Sequence, residues 1–454
     1  MSRSASQGSS DPRPAALELL RAVREDDAYA NLELPVILTR RGISGRDAAL
    51  ATELAYGTLR GRGWYDAVLD ACITRDTVEP AVRDILRMGA HQLLAMRVPD
   101  HAAVDSSCTL ARSAGAPGGA QARAGFVNAV LRRVAARNDD QWRDALRDGR
   151  ADDDPAWLAV ATSHPAWIVR ALRDALGERR SELPDLLQAD NVAPRPSLVA
   201  RPGRLSVQDL REQPGVGPGR VSPLAATLLE GAPDALAVVR EGRAGVQDEG
   251  SQLAALALAR AELDGGPDTA WLDVCAGPGG KSALLAGLAQ ERGGTLTCVE
   301  LHEHRAGLVR AAAPQATVII GDARTRPWGP EAFDRVLVDA PCTGLGALRR
   351  RPESRWRRTT DDLAALGPLQ RELLAAGIDA ARPGGVIAYV TCSPHLAETQ
   401  AVVSDVLRRR DDVAILDAHA VLPELDDAGD GPFVQMWPHR HGTDAMFVAL
   451  LRRT

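Results

Sequence analysis

Lysine is nearly missing from this sequence: Lys281 is the only one, and every other residue of the 54 lysines and arginines is arginine. A chain that writes arginine almost everywhere but lysine here points to a compact ammonium required at that one place. Also missing is any run of about 18 apolar residues, which excludes a membrane-spanning helix. The opening residues, MSRSASQGSSDPRP, are polar and serine-rich and carry no apolar stretch of the secretory kind. They read as a disordered tail over 1–11 on a cytoplasmic protein. Six cysteines (Cys72, Cys108, Cys275, Cys298, Cys342 and Cys392) are scattered without a CxxC pair or a histidine at ligand spacing. Neither a disulfide framework nor a metal site is therefore expected, and each thiol is either a small core hydrophobe or a reagent. Nor is there an excess of positive charge. The formal net charge is −6, so a polyanionic partner has to be met by local patches.

What is present divides into three domains, as a length of 454 residues suggests at roughly 100–200 residues each. Residues 12–145 read as helices throughout. Val82, Ile85, Leu86, Gly89 and Leu93 form one apolar stripe at helical spacing, and similar stripes recur at Leu17–Leu20–Val23, Leu50–Leu54–Leu59 and Val127–Val130–Leu131–Val134. Glycine- and proline-bearing breaks at 61–65, 97–101 and 113–121 separate them into a bundle. The strings AALATELAYGTLRGRGWYD (48–66), ILRMGAHQLLAMRVPDHAAVDSSCTLA (85–111) and GFVNAVLRRV (125–134) resemble the NusB family of RNA-binding bundles. After an acidic linker over 139–154, residues 155–245 begin with helical patterns and continue with short apolar runs, a small α+β module.

From 246 to 454 short apolar runs alternate with helical patterns. WLDVCAG (271–277), TLTCVE (295–300), ATVIIGDA (316–323), DRVLVDAPC (334–342) and GGVIAYVTCS (385–393) read as buried strands, with helices over 281–290, 304–313 and 361–381 between them. Such alternation predicts a doubly wound parallel sheet with ligands at the carboxyl ends of its strands.

Those ends carry the reactive residues. Cys275, Ala276, Gly277, Pro278, Gly279, Gly280 and Lys281 make a glycine loop ahead of a helix. It fails the Walker A pattern, because Cys275 stands where glycine is needed, and it lacks the GxGxxG spacing of dinucleotide sites. Glu300, Asp322 and Asp339 close the next three strands. A carboxylate after the second strand is where ribose hydroxyls are held in such folds. With no cation set for phosphates, three acids suit a cationic sulfonium. Cys342 in DAPCTGLG and Cys392 in VTCSP stand in exposed strand-end loops, where a thiol can act as a nucleophile. Arg349, Arg350, Arg351 and Arg355, facing Glu353 alone, are expected to form a basic patch for RNA phosphates, with Trp356 available for stacking.

Together QDEGSQ (247–252), LDVCAGPGGK (272–281), GDAR (321–324), DAPCTGLGALRRRPESRW (339–356), YVTCSP (389–394) and WPHRHGTDAMFVALLRR (437–453) resemble the RsmB/Sun family of 16S rRNA cytosine-C5 methyltransferases. The resemblance covers nearly the whole chain. It implies a NusB-like bundle joined to a Rossmann-like methyltransferase domain that uses S-adenosyl-L-methionine on 16S rRNA or an assembling small subunit. The protein is then a monomer needing neither membrane nor metal. Carried over by motif, Cys275 to Lys281 become the cofactor loop and Glu300, Asp322 and Asp339 further cofactor or active-site contacts. Cys392 becomes the nucleophile and Cys342 the residue that assists release. Gly277 stands where the family often has alanine, and Glu300 where it often has aspartate. A rival assignment has Cys342 attack. Other substrates in view are tRNA or another rRNA, and a reading of a different class is an RNA-binding factor with an inert methyltransferase domain.

Overall fold

Nine helices lead the described residues: Arg13–Glu25, Ala30–Arg40, Gly45–Arg60, Arg62–Cys72, Pro80–Leu94, Asp100–Ser113, Ala120–Ala135, Asp139–Arg147 and Pro155–Ala161. They belong to a computed structural model that describes residues 11–75, 77–114 and 119–454. All but Asp11 of the expected tail, and much of the break at 113–121, lie outside the described residues. The apolar stripes face a common core in which Leu19, Leu54, Ile85, Leu86 and Leu131 are buried. Gly89 sits in its stripe for a steric reason, since a Cβ there would lie 2.6 Å from Leu131 Cδ1. Its absence lets helices Pro80–Leu94 and Ala120–Ala135 approach closely.

By contacts the chain forms two units, one running to Arg170 and taking in Arg349–Arg357, the other comprising Ala171–Leu348 and Arg358–Thr454. In this division helix Pro155–Ala161 goes with the bundle. Trp157 of helix Pro155–Ala161 is buried in the bundle core and packs edge-on to Trp64 at 6.4 Å.

The second unit holds two sheets. The small one is antiparallel, with strands β1 (Ser197–Ala200), β2 (Val216–Pro218), β3 (Ala225–Leu228) and β4 (Ala244–Val246) in the order β2-β3-β1-β4. It is tied to helix Glu249–Arg260 by Glu249, whose carboxylate accepts the backbone N–H groups of Arg220, Val221 and Ser222. The large sheet contains β5 (Ala270–Asp273), β6 (Thr295–Glu300), β7 (Thr317–Ile320), β8 (Phe333–Asp339), β9 (Ala381–Thr391), β10 (Val413–Leu416), β11 (Val434–Gln435) and β12 (Phe447–Arg453). Its order is β10-β12-β9-β8-β5-β6-β7, with β11 beside β12.

The five strands expected from the sequence, β5 to β9, are mutually parallel. β12 pairs antiparallel with β9, β10 and β11, so the sheet is mixed and not wholly parallel. Burial on both faces explains the apolar runs Val336–Val338 in β8 and Val386–Val390 in β9. Helices Gly280–Glu291, Glu303–Ala312 and Thr360–Ala380 connect the parallel strands. Strand order reverses at β5, which lies between β8 and β6. A crevice at the carboxyl ends of β5 and β8 is where such a sheet takes a ligand. Among the described residues no helix is long and apolar enough to cross a membrane.

Candidate active site

The loop after β5 is shaped by two glycines. Gly279 has φ +107°, and a Cβ there would meet Ala312 Cβ at 2.9 Å and Val309 Cα at 3.0 Å. Only glycine gives both the left-handed turn and the close approach to helix Glu303–Ala312. Gly279 caps helix Gly280–Glu291 without a side-chain hydrogen bond, so the first N–H groups of that helix meet no capping side chain. A Cβ at Gly277 would fall on the Glu300 carboxylate and the Arg305 guanidinium. The space an alanine would take is filled by the longer acid at 300, so glycine at 277 and glutamate at 300 belong together. Glu300, only 4 % exposed, accepts the N–H of Gly277 at 3.0 Å and that of His302 at 3.0 Å. Arg305 stands 3.7 Å from it.

Asp273, the last residue of β5, is a buried acid that the sequence pattern alone does not single out. Ser282 Oγ donates to its Oδ2 at 2.7 Å, and burial pushes its carboxyl up to about 7. Cys275 is half-buried, and burial together with Asp273, Asp339 and Glu300 raises its thiol. Ala276 is buried and Pro278 completes the turn. Gln247 adds a group the sequence reading did not assign. Its Oε1 is buried and has no hydrogen-bond partner among the described residues, and its Cδ lies 3.9 Å from where a Cβ on Gly280 would be.

Lys281 reaches Asp339 at the end of β8, with Nζ donating to Oδ2 at 2.9 Å. Burial opposes the ammonium, but Asp339 outweighs it and raises the Lys281 pKa. Asp322 stands apart. It caps the turn Ala323–Thr325 by accepting the Arg324 N–H, and the Arg324 guanidinium grips its two oxygens at 3.0 and 2.6 Å. That grip holds the carboxyl below its ordinary range.

The loops after β8 and β9 bring Cys342 and Cys392 together, Sγ to Sγ 3.4 Å. The hydrogen bond from Cys342 lowers the Cys392 thiol, helped by Lys281 against burial and Asp339. The same bond and burial raise Cys342. Gly346 lies between these loops and the segment before β12. Its N–H donates to Cys392 O at 2.9 Å, its carbonyl accepts from Ala445 N–H at 2.9 Å, and a Cβ there would strike both backbones. The DAPCTGLG, TCSP and GTDAM strings therefore meet at one place.

The expected arginine patch is corrected by the structure. Arg355 is fully buried, with Nη1 donating to the carbonyls of Arg60 and Ser163 at 3.2 Å each. Arg349 is 9 % exposed, and its carbonyl accepts from Arg60 at 3.3 Å. Arg351 lies over the Tyr29 ring at 5.4 Å, and Arg62 covers a face of Trp356 at 5.3 Å. Only Arg350 of the four is exposed to solvent. Charge-assisted bonds from a guanidinium to carbonyls contribute about 1.5–3 kcal/mol, so Arg349–Arg357 is a buried strap of the helical unit. A local count of charges could not reveal those carbonyl partners.

The profile of the 16S rRNA methyltransferase RsmB/F family matches residues 261–452, and that of the NusB family matches residues 10–136. A Mycobacterium tuberculosis protein named only as a methyltransferase is 52% identical, covering 98% of this chain and 97% of its own length. The ribosomal RNA small subunit methyltransferase B of Vibrio cholerae is 32% identical, covering 90% of this chain and 91% of its own. Among solved structures, that of PH0851 aligns with a TM-score of 0.76 at 22% identity, covering 99% of this chain and 100% of the other. NSun6 from Pyrococcus horikoshii, solved with SFG, aligns at 0.52 and 17% identity, covering 63% of this chain and 98% of the other. At such identities the last two speak for the fold.

Proposed function

Since the chain belongs to the RsmB/F family of 16S rRNA methyltransferases, we propose that it methylates carbon 5 of a cytosine in 16S rRNA, using Cys392 as covalent nucleophile and S-adenosylmethionine as methyl donor. The observation that carries this reading is the 3.4 Å approach of two strand-end thiols next to the Lys281–Asp339 pair. Carbon 5 of cytosine is too weak a nucleophile to take a methyl group directly. Addition of the Cys392 thiolate to carbon 6 forms a C–S bond and places an electron pair on carbon 5, which then takes the methyl group. Loss of the carbon 5 proton returns that pair to the ring and expels the thiolate. Lys281 stabilises the attacking thiolate, Asp339 holds Lys281, and Cys342 assists the release step. The Lys281 charge, which lowers the Cys392 thiol, favours Cys392 as attacker.

S-adenosylmethionine supplies, when bound, a methyl group on a cationic sulfonium. The donor set suits it: a glycine loop at a helix N-terminus and three acids, with the nearby cations Lys281 and Arg305 each already set against an acid. Glu300 would hold the ribose hydroxyls and Asp322 the adenine amine. The unpartnered Gln247 Oε1, close to Gly280, would accept from the amino group of the methionine part.

The test is a pair of variants with 16S rRNA. Cys392→Ala should abolish both turnover and adduct, while Cys342→Ala should trap an adduct that migrates slowly on a denaturing gel. The reverse pattern would make Cys342 the attacker. Bisulfite sequencing of RNA from cells lacking the protein should show one 16S cytosine losing protection; loss at a tRNA site instead would move the substrate.

A further inference from the structure

Glu398 is a fully buried carboxylate that the proposed chemistry does not use. It lies in the turn Leu396–Glu398, six positions past Cys392, and among the described residues it forms no ion pair. Burying an unpaired carboxylate is costly unless neighbouring dipoles satisfy it. Here they do. Oε1 accepts the Thr343 N–H at 2.8 Å and the Gln370 amide at 3.2 Å, and Oε2 accepts the Thr343 hydroxyl. Gln370 is buried too and donates to Pro341 O at 2.8 Å. The Glu398 carbonyl accepts the Tyr389 hydroxyl at 2.8 Å, which fixes the turn against β9.

Both neighbours of Cys342 in the chain, Pro341 and Thr343, are thus held by Glu398, one directly and one through Gln370. The link to the other thiol is a step further away, through the Thr343 and Ser393 hydroxyls at 3.2 Å. Cys392 has its own anchor, since it follows β9 directly and Thr391, the last residue of that strand, pairs with Phe447 of β12. We propose that Glu398 is a positioning residue for the release step, holding Cys342 at the distance from Cys392 at which it can act on the adduct. The inference rests on the roles given to the two cysteines above.

Losing the carboxylate frees the Cys342 loop while leaving Cys392 placed to attack, so the adduct forms but resolves slowly. With full-length protein, 16S rRNA and S-adenosylmethionine, Glu398→Ala should lower kcat by about tenfold or more, as expected for a displaced catalytic group. The KM for RNA should stay within about twofold, because binding is untouched. The adduct on a denaturing gel should rise, and Glu398→Ala combined with Cys392→Ala should show none. Thr343→Val keeps the N–H contact and side-chain shape but removes the hydroxyl, and should show a smaller rise; it carries the test if Glu398→Ala fails to fold. Purely structural damage would lower turnover and adduct together. If Cys342→Ala traps adduct while neither Glu398→Ala nor Thr343→Val does, the inference is wrong and the cysteine roles stand. If Cys342→Ala traps none, the release role fails and this inference falls with it.

Discussion

Replacing Asp273 by asparagine should make the protein's stability less sensitive to alkaline pH. Asp273 is 1 % exposed, and burial lifts its carboxyl from 3.8 to about 7. In the unfolded chain the same group titrates near its ordinary value. Below about pH 4 both states carry the proton and nothing is lost. Between about 4 and 7 the folded state keeps a proton that the unfolded state has released, so stability falls as pH rises, by about 1.4 kcal/mol per unit. Above about 7 the penalty is complete, at about 4 kcal/mol as a ceiling from roughly three units. Asparagine can still accept from Ser282 but has nothing to titrate. Urea unfolding of the full-length proteins at pH 5 and pH 8 should therefore show the variant gaining on the parent by up to about 3 kcal/mol between the two pH values. An offset that is the same at both pH values would refute the reasoning, because the burial penalty on the charged form would then be absent.

Gly277→Ala should weaken S-adenosylmethionine binding by pushing the Glu300 carboxylate aside. Adding Glu300→Asp should recover much of the loss, and titration calorimetry of the cycle should give a coupling of about 1 kcal/mol or more. Lys281→Met should raise the pH at which Cys392 alkylates with iodoacetamide, since Lys281 lowers that thiol; mass spectrometry of the Cys392 peptide reads the midpoint, and an unmoved midpoint counts against the ion-pair argument. Arg355→Ala should cost the helical unit about 2–4 kcal/mol by stranding buried carbonyls, measured by urea unfolding. The same change should leave the salt slope of RNA binding as it was, because a buried guanidinium neutralises no phosphate.

Strand identity and the site's outline were readable from the sequence because they depend on local pattern. Apolar runs ending in Glu300, Asp339, Cys342 and Cys392 put those residues at strand ends wherever the strands pair. The antiparallel neighbours β10, β11 and β12 were not legible, since pairing direction is a long-range choice that short apolar runs do not encode. Asp273 reads as one more residue of the WLDVCAG run until Ser282 is seen folded back on it. Glu398 was missed because its partner Thr343 is 55 positions away. Arg355 was misjudged for the same reason in reverse: its carbonyl partners on Arg60 and Ser163 are distant in sequence, and a guanidinium bonded to backbone looks identical in one-letter code to one in water.

A chemist reaching for an amine-reactive reagent would find a single side-chain target in this protein. Lys281 is 11 % exposed and paired with Asp339, so acylation has to wait for that contact to open. Labelling kinetics then time the opening of one ion pair, free of background from any other lysine. A donor molecule seated on the glycine loop should slow the reaction, turning a common surface-modification reagent into a gauge of cofactor occupancy.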